Sequence, residues 1–164
     1  MTSERRTSIE IAKEDMHFAA AHFTVFSATR RENLHGHNFF VTATLAGPIG
    51  DGGLCFDYNI VKSKLRELCA SLDEVVLLPT ESPYLDIEEG DDYVTVAFAD
   101  ERLPFLRRDV KLLPVRNVTV EELAHWFVAQ LTASADFAKL PVDALDLRVS
   151  SGPGQWARSA WRRR

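Results

Sequence analysis

The chain has 164 residues, 46% of them hydrophobic, which is enough for one domain whose core needs no disulfide framework. The 19 basic residues are outnumbered by 24 acidic ones and are scattered rather than gathered into a stripe, so nucleic acid is excluded as a partner. No run approaches the roughly 20 apolar residues that span a bilayer, the polar N-terminus has no apolar signal core, and two distant cysteines, Cys55 and Cys69, fit a reducing cytosol.

Residues 1–15 read as a flexible polar segment. Aromatic and β-branched residues with partial alternation over 16–26 and 38–46 predict two strands paired antiparallel across a polar loop. Pro48, Gly50, Gly52 and Gly53 mark a turn. Asp57 then precedes Ile60, Val61, Leu65, Leu68 and Leu72, the stripe of a helix with an acidic residue at its positive end. Residues 84–110 predict a hairpin, with Val94, Val96 and Phe98 on one face. Thr119 begins a second helix, its hydroxyl capping while Glu122 reaches back, with Val120, Leu123, Ala124, Phe127, Val128 and Leu131 as its apolar stripe. Leu145, Leu147 and Val149 alternate in a final strand, and residues 159–164 form a frayed basic tail ending in Arg162, Arg163 and Arg164. The order β, β, α, hairpin, α, β predicts one α+β domain over 16–158, an antiparallel sheet with helices packed on one face.

The chemistry concentrates at His35-Gly36-His37. In extended backbone both imidazoles project from one side, with the glycine leaving room for close approach. The antiparallel hairpin brings His22 opposite that segment. Three neutral imidazoles with an open position are the pattern of a catalytic zinc, whereas structural zinc closes its shell with four ligands, often cysteines. His17 points opposite to His22 in a regular strand, and His125 falls beside an apolar helix stripe, so both stay outside the site.

The residues Phe18 to His22, Leu34-His35-Gly36-His37-Asn38-Phe39, Phe56-Asp57, Leu72-Asp73 and Asn117-Val118-Thr119-Val120-Glu121 resemble, in order and spacing, the 6-pyruvoyl- and 6-carboxy-tetrahydropterin synthases. The resemblance covers about Met16 to Ala157. It implies a T-fold, zinc held by His22, His35 and His37, substrate contacts from Thr119 and Glu121, and a hexamer with pterin pockets between subunits. Arg31 stands where most members carry a cysteine, and Glu32 follows it. Arg31-Glu32-Asn33-Leu34-His35-Gly36-His37 resembles the branch in which a glutamate replaces the cysteine and the side chain of dihydroneopterin is cleaved.

Two further positions depart from the family pattern. Glu74 replaces a catalytic histidine beside the retained Asp73, which alters the proton relay, and Ser151 (or Ser150, if the register slips by one) replaces the glutamate that anchors the pterin. The expected catalytic set is Glu32 as principal acid/base with Asp73 and Glu74 secondary. The expected function is zinc-dependent lysis of a dihydroneopterin-type side chain in a cytoplasmic homo-oligomer. The alternatives are a zinc enzyme of the same fold with another small polar substrate, and a non-catalytic member, against which the open-position histidine set argues.

Overall fold

In the computed structural model, which describes residues 5–164, the main sheet is organised around β5 (His35–Pro48). The first half of β5 pairs antiparallel with β2 (His17–His22), and its second half pairs along the same edge with β1 (Arg6–Ile11). Its other edge carries β11 (Ala144–Ser150), and β12 (Trp156–Arg162) completes that side. Beyond β2 lie β6 (Val75–Pro79) and β10 (Val110–Leu113), both parallel to β2. The sheet is therefore mixed, not antiparallel throughout. Helix α1 (Tyr58–Leu72) returns the chain to the level of Ala20, where Val75 begins β6, and such a helical crossover permits parallel pairing.

Both helix starts follow the predicted caps. The Asp57 carboxylate accepts from Asn59 N at 2.9 Å, and the Thr119 hydroxyl accepts from Glu122 N at 3.3 Å to open α2 (Val120–Thr132). The Glu122 carboxylate does not reach back to Thr119, since it accepts from Arg116 N instead. The two helices and the short α3 (Ala135–Ala138) cover one face of the sheet, burying Val61, Leu65, Leu72, Leu123, Phe127 and Leu131 against Phe18, Phe39, Val41, Leu45, Leu147 and Val149. Burying each such side chain contributes about 1.5–3 kcal/mol. Glycine is required at Gly47, where a Cβ would meet the Pro141 carbonyl oxygen at 2.3 Å. At Gly36 it would lie 3.4 Å from the Ala20 oxygen, so the expected close approach there is mild.

The predicted hairpin is a three-stranded meander, β7 (Asp86–Glu89), β8 (Tyr93–Phe98) and β9 (Glu101–Leu106), followed by a 3-10 turn at Arg107–Asp109. Val94, Val96 and Phe98 bury against Phe23, Val25, Leu78 and Leu85 in a second, smaller core. This core supports a short ribbon, β3 (Val25–Ser27) and β4 (Arg30–Arg31), immediately before the His-Gly-His segment.

The termini differ from expectation. Residues 1–4 of the expected flexible segment lie outside the described residues, whereas Arg6–Ile11 form an ordered strand, with Ile11 buried opposite Ala43. At the other end, the expected frayed tail continues β12 through Arg162, which bonds Asp146, and Arg163 donates to the Leu140 and Val142 carbonyls. The Leu140 and Val142 carbonyls and the partly exposed Asp146 carboxylate give these guanidinium groups partners that local sequence does not show. No helix among the described residues is long and apolar enough to cross a membrane.

Candidate metal centre and active-site cavity

Strand register makes the histidine cluster. His22 pairs directly with His35, and Ala20 pairs with His37, so all three imidazoles leave the same side of two adjacent strands. One ligand atom from each lies within 4.8 Å of the others, and His35 Nε2 is 3.0 Å from His37 Nε2. His17 sits exposed at the far end of β2, apart from them, and the His125 ring pairs with the Ser159 hydroxyl at 3.0 Å.

The surroundings fix which nitrogen two of the rings offer. His22 Nδ1–H donates to the Val118 carbonyl at 2.8 Å, just ahead of α2, and His35 Nδ1–H donates to the Asn33 carbonyl at 2.8 Å. Such bonds orient the imidazole and leave Nε2 as a lone-pair donor. His22 Nε2 is buried without a hydrogen-bond partner, a cost that proteins seldom carry without a ligand for the atom. Burial lowers the His22 pKa, against the opposing pull of the Val118 carbonyl, so the ring is neutral at pH 7. Three converging imidazoles, two of them oriented by backbone carbonyls, fit a divalent metal with one position open.

A cavity of about 360 Å³ opens beside the cluster. Glu32, Thr119, Glu121 and Ser151 all line it with the three histidines, as do Thr24 and Gln155, which sequence reasoning did not single out. Ser150 is fully buried and bonded to Gly152, so Ser151 is the residue of that pair that faces the cavity. Glu32 Oε2 accepts from Thr24 N at 3.0 Å and stands 3.9 Å from His35 Nε2. Burial raises the Glu32 pKa, but hydrogen bonds from Thr24 and the nearby imidazoles outweigh it, leaving the carboxyl below its ordinary value and ionised at neutral pH.

Asp73 and Glu74 do not line this cavity. Asp73 Oδ1 accepts from Ala19 N at 2.7 Å, and Glu74 N donates to Ala19 O at 2.7 Å, which fastens the end of α1 to β2. Glu74, at a left-handed φ of 57°, opens instead onto a neighbouring cavity with Ala19, Ala21, Asn38 and Asp109. Asn117 has a structural task. It brackets Val25 by accepting from its N–H at 3.1 Å and donating to its carbonyl at 2.8 Å, which holds β3 against the start of α2.

The profile of the 6-pyruvoyl tetrahydropterin synthase family matches residues 10–160. The chain belongs to this family. Among relatives, it is 27% identical over 146 residues to a Methanocaldococcus jannaschii protein named "Putative 6-carboxy-5,6,7,8-tetrahydropterin synthase", covering 87% of this chain and 88% of that one. The crystal structure of the Plasmodium vivax 6-pyruvoyl tetrahydropterin synthase superposes with a TM-score of 0.90 at 29% identity, over 97% of this chain and 99% of the other. Variants of the Plasmodium vivax protein, described as catalytic residue mutants with a glutamate replaced by alanine or by cysteine, superpose with the same TM-score of 0.90. The synthase family fold thus carries the histidine cluster, and the T-fold expectation holds.

Proposed function

We propose that this synthase-family chain is a zinc-dependent lyase acting on the side chain of a dihydroneopterin-type pterin. The observation that carries the reading is an ionised Glu32 held beside three converging imidazoles in one cavity. A catalytic glutamate in the Plasmodium vivax protein supports giving that role to Glu32. Zinc held by His22, His35 and His37 would supply a Lewis acid that eases deprotonation of side-chain hydroxyls.

The carboxylate of Glu32 is a resting base, so its first act is to accept a proton. In a retro-aldol cleavage it takes the hydroxyl proton from the second side-chain carbon while the bond to the first carbon breaks and glycolaldehyde leaves. Glu32 then returns the proton to the ring-side carbon, which closes the cycle without an outside reductant. With a triphosphate the same base would begin phosphate elimination and isomerisation. Thr119, Glu121 and Ser151 would contact the ring. Asp73 and Glu74 would supply secondary proton transfer from a neighbouring copy, since neither lines this cavity in its own chain: Glu74 lines another, and the Asp73 carboxylate accepts from Ala19 N. A hexamer with pockets between subunits accommodates this, and two free thiols suit the reducing cytosol.

The test is Glu32→Gln assayed with dihydroneopterin. With zinc retained, turnover should fall by roughly 10²–10⁴-fold, the usual cost of losing one acid/base group. Near-normal turnover would overturn the assignment. Ser151 in place of a carboxylate favours a second reading, a related polar substrate bound by the same centre.

A further inference from the structure

We propose that Arg31 is a positioning residue that sets the place of Glu32 beside the histidines, bracing it against the meander. The proposal rests on Glu32 as the acid/base group, and its argument begins with how Glu32 is held. Its N–H donates to the Thr24 carbonyl at 2.8 Å, and its carboxylate accepts from Thr24 N at 3.0 Å. Its own carbonyl accepts from an Arg31 terminal nitrogen at 2.8 Å. Thr24 therefore fixes one side of the residue and Arg31 the other.

Arg31 is itself anchored outside the ribbon. Its Nε donates to the Glu101 carboxylate at 2.7 Å, and its guanidinium carbon lies 5.2 Å from the Phe23 ring centre and 5.9 Å from that of Phe98. Phe98 and Glu101 are paired residues at the closing end of the β8–β9 hairpin, whose turn passes through Ala99 at a left-handed φ of 51°. The hairpin end thus presents an aromatic face and a carboxylate to one guanidinium. Only 15% of the Arg31 side chain is exposed, so the guanidinium is held in place even though the Glu101 carboxylate it meets is half-exposed.

A planar fork reaches the Glu101 carboxylate and the Glu32 carbonyl at once, while stacking on rings. A lysine can reach one of these partners but not all of them. Glu101 pairs with the guanidinium, and Arg31 meets Glu32 at its backbone carbonyl rather than at its carboxylate. Arg31 therefore acts on position. Displacing a reacting group by about 1 Å costs up to roughly 100-fold in rate.

The test compares Arg31→Lys, Glu32→Ala and the double variant, with zinc content measured for each. Arg31→Lys should keep its zinc, lower kcat by roughly 10- to 100-fold and leave KM nearly unchanged. In the Glu32→Ala background it should have no further effect, because the group it positions is gone. Glu101→Gln, which spares the stacked guanidinium, should show a smaller loss in the same direction. Equal fold losses in both backgrounds would overturn the proposal. Crystal structures of Arg31→Lys separate this claim from the choice of substrate: the Glu32 carboxylate should leave Thr24 N, and an unmoved carboxylate refutes the positioning role. If the unmodified protein turns over no pterin, the functional reading fails, and the crystal structure still decides the role of Arg31.

Discussion

Replacing His22 with leucine, a side chain of similar volume, separates metal ligation from packing. In the metal-free protein the substitution strands the Val118 carbonyl, which accepts from His22 Nδ1–H at 2.8 Å, and an unsatisfied buried acceptor costs about 1–3 kcal/mol. It also removes His22 Nε2, already buried without a partner, and relieves a penalty of about 1–3 kcal/mol. The two effects offset, so metal-free His22→Leu should unfold within about 2 kcal/mol of the metal-free wild type. Zinc changes the comparison. At a free concentration 1,000 times its Kd, a ligand that binds only the folded state adds about 4.1 kcal/mol. For a chain of this size that is a rise of roughly 8–16 °C in Tm. Denaturant and thermal unfolding, with and without zinc, read both quantities. Wild type should gain that stability and His22→Leu should gain little of it. A full zinc-dependent shift in the variant would refute the placement of His22 in the metal site. A loss beyond about 2 kcal/mol in the metal-free variant would refute the claim that its Nε2 is a burden without metal.

Lowering the pH should weaken the metal-free protein. The folded His22 has a pKa below the ordinary 6.5, so between that value and the lowered one the unfolded chain binds the proton and the folded chain does not. Stability is therefore highest above pH 6.5 and declines as the pH falls toward the lowered pKa, and urea titrations across pH 7 to 5 should show the decline in wild type and its loss in His22→Leu. Ser151→Glu should improve calorimetric binding of neopterin by roughly ten- to two-hundred-fold, the worth of a charge-assisted pair of about 1.5–3 kcal/mol. Equal or weaker binding by that variant would show that the ring does not sit against Ser151. Cys69, buried and with its thiol pushed up to about 12, should resist alkylation at pH 8 until the protein is unfolded, and rapid labelling of the folded protein would contradict its burial.

The convergence of the three histidines was legible because alternation within β2 and β5 and the antiparallel register between them turn sequence spacing directly into position. The helix caps at Asp57 and Thr119 were legible for a similar reason, since each acts within a few residues of itself. What escaped depends on distant partners. Arg6–Ile11 and Trp156–Arg162 are polar or basic in sequence and become strands only because β5 and β11 offer free edges. Val75–Pro79 carries no sign that its neighbours run parallel to it. Thr24 shapes the cavity through its backbone N–H, a group every non-proline residue has, so nothing in its side chain marked it. Asp73 and Glu74 read as catalytic from their motif, yet their own chain uses them to tie α1 to β2.

Mass spectrometry of the products formed from dihydroneopterin by the zinc-loaded protein, beside a chelator-stripped control, tests the central claim most directly. The account predicts a pterin product shortened by two side-chain carbons, glycolaldehyde in equal amount, and neither from the stripped protein. Intact dihydroneopterin after incubation with fully zinc-loaded protein, or equal turnover by the stripped control, would contradict it.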